Sequence, residues 1–231
     1  MMHEAQLQAL GKEIWVVDYP FKLFGANFGN KMTVIRFNND NLLLHSPIPI
    51  SGELIKQIDA LGQVKILMAP NLMHTLFIND WKQHYSEATL VAPKHIKKVH
   101  FDLCLEDFTK NRCENFEFPP ELHLHFIAGM KGLHEYALFH STSNTLILTD
   151  LAFNIRRVKG IWSNIFFRLY GAYGKFGPTH LIKAIIKNKT QFSQSIDVIL
   201  SNDFDKIVVS HGDVVTENGK AEFKQAFHSM R

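Results

Sequence analysis

Cysteine is scarce in this sequence, and long apolar runs are missing. Cys104 and Cys113 are the only two cysteines and do not form a CxxC pair, which favours a reducing compartment and argues against a disulfide framework. No apolar run approaches the roughly 20 residues that cross a membrane as a helix. Residues 1–13, MMHEAQLQALGKE, carry acids and no apolar core, unlike a secretory signal. We therefore expect a cytoplasmic protein.

Three common catalytic signatures are also missing. The sequence contains no GxSxG nucleophile elbow, no phosphate-binding P-loop and no GxGxxG turn. Their absence argues against serine hydrolases of the α/β type, P-loop nucleotidases and Rossmann dehydrogenases. The formal net charge is only +3, which is a weak electrostatic basis for binding a polyanion. We therefore expect no nucleic-acid partner.

Acidic residues are absent from residues 151–196, where basic and aromatic side chains are interleaved. We name residues 156–190 the basic aromatic segment. Its basic members are Arg156, Arg157, Lys159, Arg168, Lys175, Lys183, Lys187 and Lys189, and its aromatic members are Trp162, Phe166, Phe167, Tyr170, Tyr173 and Phe176. The pattern predicts two or three helical pieces, with a break between residues 174 and 178.

The basic aromatic segment allows three interpretations. In the first, its helices cover a sheet, with the apolar residues Ile161, Ile165, Leu169 and Tyr173 facing the core at helical spacing and the charges in solvent. In the second, the segment is a lid whose arginines hold an anionic substrate. In the third, it makes peripheral contact with an anionic membrane. Composition and spacing leave all three open.

Two short apolar strands end on side chains that can bind a metal ion. Residues 145–150, TLILTD, form an apolar run that ends at Asp150, and residues 206–213, KIVVSHGD, repeat the arrangement with His211. A carboxylate at the end of a buried strand is costly unless a metal ion, a cation or hydrogen-bond donors compensate it. We therefore expect the two side chains to meet at one site, or Asp150 to accept backbone N–H bonds from the following turn.

The order of the predicted elements favours a layered α/β protein with mixed sheets. Residues 33–45 and 136–150 each have the apolar-turn-apolar pattern of a β-hairpin. Ser51 is predicted to cap a helix that stops at Gly62. Because the sequence shows no linker and no short-period repeat, residues 1–231 are predicted to form a single domain.

Four motifs occur in an order that resembles the metallo-β-lactamase superfamily. They are HSPI at residues 45–48, APN at residues 69–71 followed by His74, TLILTDLAFN at residues 145–154, and VVSHG at residues 208–212. The resemblance covers residues 14–215 and points to an uncharacterised branch of the superfamily. It implies a metallo-β-lactamase-like αββα four-layer sandwich with a site at one edge, which in the superfamily often binds one or two zinc or iron ions.

The resemblance also implies a set of metal ligands. Asp150 and His211 occupy the positions of a metal-bridging aspartate and a metal-binding histidine. The HxHxDH cluster of the superfamily is degenerate here and retains only His74, while His134 lies near the place of a further histidine. Because a catalytic zinc needs at least three protein ligands, these residues imply one zinc, iron or manganese ion, or none, with His45 as a reserve ligand.

The resulting hypothesis is a metal-dependent hydrolase in which Asp150 and His211 are catalytic. Activated water would attack an ester, thioester, amide or phosphoester of a small-molecule substrate. His45, Arg156 and Arg157 are predicted to contact that substrate. The alternative is a non-catalytic protein of the same fold, which binds an anionic ligand, a partner or a membrane surface through the basic aromatic segment.

The remaining candidates have smaller predicted roles. Asp213 is predicted to orient the imidazole of His211 from behind. The other histidines are predicted to be surface or half-buried residues without chemistry, namely His84, His95, His100, His123, His125, His140, His180 and His228.

Overall fold

The computed structural model describes residues 5–38, 40–93, 102–104, 112–113 and 116–230, so that His95 and His100 lie outside the described residues. The strands are β1 (Gln8–Gly11), β2 (Ile14–Tyr19), β3 (Lys22–Leu23), β4 (Ala26–Asn27), β5 (Asn30–Phe37), β6 (Asn41–His45), β7 (Gln63–Met68), β8 (Thr89–Ala92), β9 (Leu103–Cys104), β10 (Arg112–Cys113), β11 (Phe116–Glu117), β12 (Leu122–Phe126), β13 (Tyr136–His140), β14 (Thr145–Leu148), β15 (Phe153–Asn154), β16 (Phe176–Gly177) and β17 (Lys206–Val209). The helices are α1 (Gly52–Asp59), α2 (Ile78–His84), α3 (Ile161–Tyr170), α4 (His180–Ile185), α5 (Lys189–Leu200) and α6 (Gly219–Phe227). Within the described ranges, none of these helices is long and apolar enough to span a membrane.

Two mixed sheets contain most of the strands. The larger sheet has the order β1-β2-β5-β6-β7-β8-β9, antiparallel from β1 to β6 and parallel from β6 to β9. The smaller sheet has the order β12-β13-β14-β17, antiparallel from β12 to β14 and parallel between β14 and β17. The predicted hairpins at residues 33–45 and 136–150 are confirmed as β5-β6 and β13-β14.

Apolar side chains pack in three clusters between four layers, and a fourth cluster surrounds Phe28. The central core lies between the sheets, where Ile35 of the larger sheet packs in the same cluster as Ile147 of the smaller one. Helices α1 and α2 cover the outer face of the larger sheet, and α4, α5 and α6 cover that of the smaller sheet. The predicted αββα sandwich is therefore confirmed.

Strand β14 shows why its sequence is apolar throughout. Successive side chains of a strand point to opposite faces. Ile147 therefore enters the central core, whereas Leu146 and Leu148 pack against the helices of the outer core. Burial on both faces requires a continuous apolar run, because each of these side chains contributes about 1.5–3 kcal/mol by leaving water.

Local signals at two other places also hold. The Ser51 hydroxyl accepts a hydrogen bond from the Leu54 backbone N–H at 3.2 Å and caps α1. The basic aromatic segment contains α3 and α4 and the start of α5, and the predicted break is where β16 pairs with β15.

The prediction for His140 was wrong. It was expected to be at most half-buried, but it is fully buried because β13 lies between β12 and β14.

Helix α3 has the opposite orientation from that of the first interpretation of the basic aromatic segment. Its residues Ile161, Ile165 and Leu169 are exposed, with 82%, 46% and 75% of their surface in solvent. The buried face instead carries Phe167, which packs in an aromatic cluster around Phe28. Ile161, Ile165 and Leu169 do lie at helical spacing on one face of α3, but Tyr173 comes after the end of the helix and packs against the same aromatic cluster. The face of α3 that carries Phe167 is the one that is covered, since an aromatic side chain has a larger contact area.

Candidate metal centre and substrate cavity

Three loops at strand ends bring His74, Asp150 and His211 together. His74 follows β7 of the larger sheet, whereas Asp150 and His211 follow β14 and β17 of the smaller one. Because β14 and β17 are parallel neighbours, their carboxyl ends lie at the same edge of the sheet. One ligand atom from each of the three residues lies within 4.8 Å of the others. The strand-end acid and imidazole therefore converge, as expected from the sequence.

The Asp150 carboxylate contacts both imidazoles. Its Oδ2 lies 3.3 Å from His74 Nε2, and its Oδ1 lies 3.2 Å from His211 Nε2. The Asn71 side-chain amide donates to Oδ2 at 2.8 Å. Burial alone would raise the pKa of Asp150, but the adjacent His74 and His211 rings outweigh burial and hold that pKa below its ordinary value. The carboxylate is thus kept ionised between two imidazole nitrogens.

Each imidazole is oriented by a second contact on its far side. The Nδ1 of His74 lies 2.6 Å from the Ser46 hydroxyl oxygen, and His211 Nδ1 donates to the Gly29 carbonyl oxygen at 2.8 Å. Such contacts fix the rotation and the tautomer of a metal-binding histidine and leave Nε2 free to coordinate. The predicted role of Asp213 is therefore filled by Gly29, because the exposed Asp213 pairs through its backbone with Asn154.

Asn71 is a buried residue of the site that sequence reasoning quoted in a motif but gave no role. Its side-chain oxygen accepts from the backbone N–H groups of Met73 and His74 at 2.8 and 3.0 Å. Its amide nitrogen donates to Asp150 and lies 2.9 Å from the Thr149 hydroxyl. One side chain therefore sets the turn that carries His74 and also holds the carboxylate.

Glu135 was missed entirely, although it organises the loop that carries Asp150. It is fully buried, and its carboxylate accepts from the backbone N–H groups of Thr149, Asp150 and Leu151 at 2.9–3.0 Å. Burial and then the charge of Asp150 raise the pKa of Glu135 above its ordinary value, while the N–H donors oppose that change. The alternative expectation was that the backbone N–H groups of this turn donate to Asp150. They donate to Glu135 instead. An acid directly before the buried strand β13 was the available signal.

The backbone at position 212 explains why the VVSHG motif ends in glycine. Its φ is +109°, a backbone region that favours glycine. A Cβ atom at this position would lie 2.3 Å from the carbonyl oxygen of Asn154, which pairs with the chain on either side of Gly212. The close approach of the two backbones therefore fixes where His211 leaves β17.

A cavity of about 580 Å³ opens above the three residues. His74, Asp150 and His211 line it together with Lys131 and Asn30. The other lining residues are mostly apolar, namely Phe21, Leu23, Phe24, Phe28, Pro47, Met73, Leu76, Phe77, Gly132, Leu133, Phe153, Phe166, Tyr170, Leu181, Ile182 and Ile185. A cavity of this size with a few polar groups at one place is typical of a small-molecule site.

Two predicted histidines are not part of the group formed by His74, Asp150 and His211. The ring of His134 packs near Phe126, with centroids 6.4 Å apart, because the next residue, Glu135, is the one whose side chain reaches the Asp150 loop. His134 is not among the three grouped ligands. His45 is only 1% exposed and does not line the cavity, so it is not placed to contact a substrate. Burial, and secondarily the charge of His74, lower the pKa of His45 to about 3.

The two predicted substrate-binding arginines do not line the cavity either. Arg156 bonds to the Asn154 side chain at 2.8 Å, pairs with Glu222 at 3.4 Å and borders a different cleft. Arg157 is exposed outside the cavity. The chain leaves β15 directly before these residues, which carries both arginines away from the cavity. A charge run in the sequence could not reveal that direction.

A comparison with protein-family models identifies the family of the chain. A family model described as a domain of unknown function, DUF4336, matches residues 11–166. The chain belongs to the DUF4336 family. No curated protein matches the sequence.

Solved structures of metallo-β-lactamases share the fold. The enzyme from Hirschia baltica is 10% identical with a TM-score of 0.67, and the match covers 98% of both chains. The enzyme from Erythrobacter litoralis is 13% identical with a TM-score of 0.65, covering 100% of this chain and 93% of the other. FIM-1 from Pseudomonas aeruginosa, in a mono-zinc form, is 7% identical with a TM-score of 0.64, covering 98% and 94%. The predicted resemblance of this DUF4336 chain to the metallo-β-lactamase superfamily is therefore confirmed at the level of the fold.

Proposed function

We propose that the chain is a metal-dependent hydrolase with one metal ion held by His74, Asp150 and His211. The observation that carries this proposal is the contact between His211 and Asp150. In the neutral ring, the Nδ1 proton is donated to the Gly29 carbonyl, so the Nε2 lone pair faces Asp150 Oδ1 at 3.2 Å. Two acceptors at that distance need a cation or a proton between them.

The donor set fits a divalent transition metal. Two imidazole nitrogens and one carboxylate are common ligands of catalytic zinc, and three protein ligands leave a coordination position open. Iron and manganese also accept these ligands. The contacts of Ser46 and Gly29 behind the two rings are those that metal-binding histidines usually make. Within the described residues, this is the one group of three potential ligands whose atoms lie this close.

The residues around the site support hydrolysis of a partly apolar substrate. A divalent ion held there supplies Lewis acidity, which activates water and polarises a carbonyl or phosphoryl group. The apolar walls of the cavity favour an ester, thioester, amide or phosphoester with an apolar portion. Asn71 keeps the Asp150 carboxylate in place, and Glu135 fixes the backbone on either side of it.

Metal analysis of protein purified without an affinity tag tests the proposed centre. We expect about one equivalent of zinc, iron or manganese per chain, and loss of that metal in Asp150→Ala. The matched control is Asp213→Ala, because Asp213 is an exposed carboxylate two residues from His211 and should leave the metal content unchanged. Substoichiometric metal that is the same in all three proteins would rule out the centre.

Turnover separates the hydrolase from the non-catalytic alternative. We expect cleavage of chromogenic esters with apolar acyl chains, and loss of this activity in Asp150→Ala and after chelation. A protein that binds one equivalent of metal but cleaves no ester, thioester, amide or phosphoester would support a binding protein of the same fold. In that case the metal centre would stand and the hydrolase assignment would not.

A further inference from the structure

Exposed apolar side chains are concentrated on one surface of the described residues. Eleven large apolar side chains are exposed within the described residues, of which five line the cavity and four lie on α3. The other two are Phe126 and Val198. At the cavity mouth, Phe24, Met73 and Leu76 expose about two thirds or more of their surface. We name these nine cavity-mouth and α3 side chains the apolar rim.

The two parts of the apolar rim are joined. The Trp162 indole N–H of α3 donates to the Phe24 carbonyl oxygen at 3.0 Å, which ties the start of α3 to the cavity mouth. Phe166 and Tyr170, also on α3, line the cavity itself. The exposed face of α3 and the opening above the metal-ligand group therefore form one continuous surface. Exposed apolar side chains that are grouped in this way, rather than scattered singly, mark an interaction site.

Charge decides which partner fits the apolar rim. Basic side chains accompany it, with Lys159 and Arg168 exposed near the two ends of α3 and Lys131 beside the cavity, and residues 151–196 contain no acid. A second copy of the chain would bring like charges together, and a nucleic acid would leave the apolar side chains without a partner. An anionic lipid surface satisfies both features, since its headgroups attract the bases and its acyl region accepts the apolar residues.

We propose that the apolar rim docks the chain on an anionic membrane surface, with the cavity mouth facing the lipid. Trp162 has the amphipathic shape that favours the headgroup region, because its ring is half-exposed while its N–H is bonded to the protein. The docked orientation gives an amphiphile a direct path from the bilayer into the cavity. This inference does not rest on the metal centre or on hydrolysis.

Flotation with vesicles tests the docking surface. The probes are vesicles of phosphatidylcholine alone and vesicles of phosphatidylcholine and phosphatidylglycerol in equal parts. We expect association with the mixed vesicles that weakens as salt is added, and little association with the neutral ones. Removing Lys159 or Arg168 by substitution with glutamine should each weaken association by about fivefold. A blue shift of tryptophan fluorescence that is absent in Trp162→Phe should accompany binding.

The apolar contribution is tested by placing a charge on the exposed face of α3. Ile161→Glu and Leu169→Glu should each weaken association by about tenfold or more, because each removes the burial of one aliphatic side chain. Val198→Glu is the matched control, since Val198 is an exposed apolar residue on α5, outside the apolar rim. All three positions are on the surface, so circular dichroism and thermal unfolding should confirm that the variants fold. Asp150→Ala should bind vesicles like the unaltered protein.

Each contrary result overturns the proposal. Absence of association with mixed vesicles, equal association with neutral ones, or equal effects of Ile161→Glu and Val198→Glu would show that the apolar rim does not dock on anionic lipid. A dimer in analytical ultracentrifugation that Ile161→Glu dissociates, together with no vesicle binding, would assign the surface to a second copy. The expected result for Asp150→Ala is different, namely loss of metal with unchanged flotation. It would support the docking surface independently of the metal centre.

Discussion

Replacing Ser46 with alanine tests how the His74 imidazole is held for metal binding. The Ser46 side chain is 1% exposed, and its hydroxyl oxygen lies 2.6 Å from His74 Nδ1. Alanine removes this contact and adds no atom, so the rotation of the ring is no longer fixed at Nδ1. Loss of such a supporting contact typically lowers metal affinity by about 10–100-fold. Since tenfold is about 1.4 kcal/mol, the stabilisation of the fold by saturating zinc should fall by about 1.4–2.8 kcal/mol.

Zinc affinity is best measured by competition with a chromogenic chelator, and stability by thermal unfolding with and without zinc. Ser51→Ala is the control, because it removes the hydroxyl that caps α1 and should lower stability by about 1 kcal/mol without changing the zinc dissociation constant. The reasoning is refuted if Ser46→Ala binds zinc as tightly as the unaltered protein. It is equally refuted if Ser51→Ala weakens zinc binding to the same extent.

Two further predictions concern pH and backbone geometry. Burial lowers the pKa of His140 to about 4, so the neutral ring stabilises the fold above the unfolded-state pKa of about 6.5 and this contribution is lost as the pH falls from there toward 4. Between about pH 7 and pH 5, the free energy of unfolding measured with urea should therefore fall by about 2 kcal/mol more in the unaltered protein than in His140→Leu. If the free energy of unfolding depended on pH in the same way in both proteins, His140 would not be a buried neutral ring. Gly212→Ala should reduce both stability and metal content, because its Cβ would lie 2.3 Å from the Asn154 carbonyl oxygen. Gly174→Ala shares a positive φ but has no neighbouring atom within 4 Å, so it should cost only the local strain of about 1–2 kcal/mol and retain the metal; equal losses in both variants would refute the role of close approach.

The layers of the fold and the centre of the site could be predicted because their signals are local. An apolar run that ends in Asp150 identifies both a strand buried on two faces and the residue at its end. The same is true of His211. His74 was found because its motif follows a strand in the expected order. In each case, the identity of the strand fixes the position of the side chain that follows it.

The supporting residues could not be predicted because their roles depend on contacts distant in sequence. Ser46 reaches His74 across 28 positions, and the Gly29 carbonyl reaches His211 across 182. Glu135 stands directly before strand β13, but this position in the sequence does not show that its carboxylate bonds to the turn at Asp150. His134, its neighbour, matched the family position more loosely and lies elsewhere.

Helix α3 shows a different limit of sequence interpretation. Periodicity gives the spacing of an apolar face but not which of two such faces is covered. The aromatic Phe167 is buried and the aliphatic Leu169 is exposed, a choice made by the aromatic cluster around Phe28 rather than by α3 itself. The exposure of the aliphatic face therefore follows from the position of the helix in the fold and not from its sequence.

The origin of the three potential ligands in two different sheets has a mechanical consequence. His74 follows a strand of the larger sheet, while Asp150 and His211 follow strands of the smaller one. An ion that engages all three must bridge the halves of the sandwich at one edge, so the halves cannot part there without releasing it. Substitutions in the central core, remote from any ligand, should then alter ion retention, because loosening the packing between the sheets and opening the chelate become the same movement.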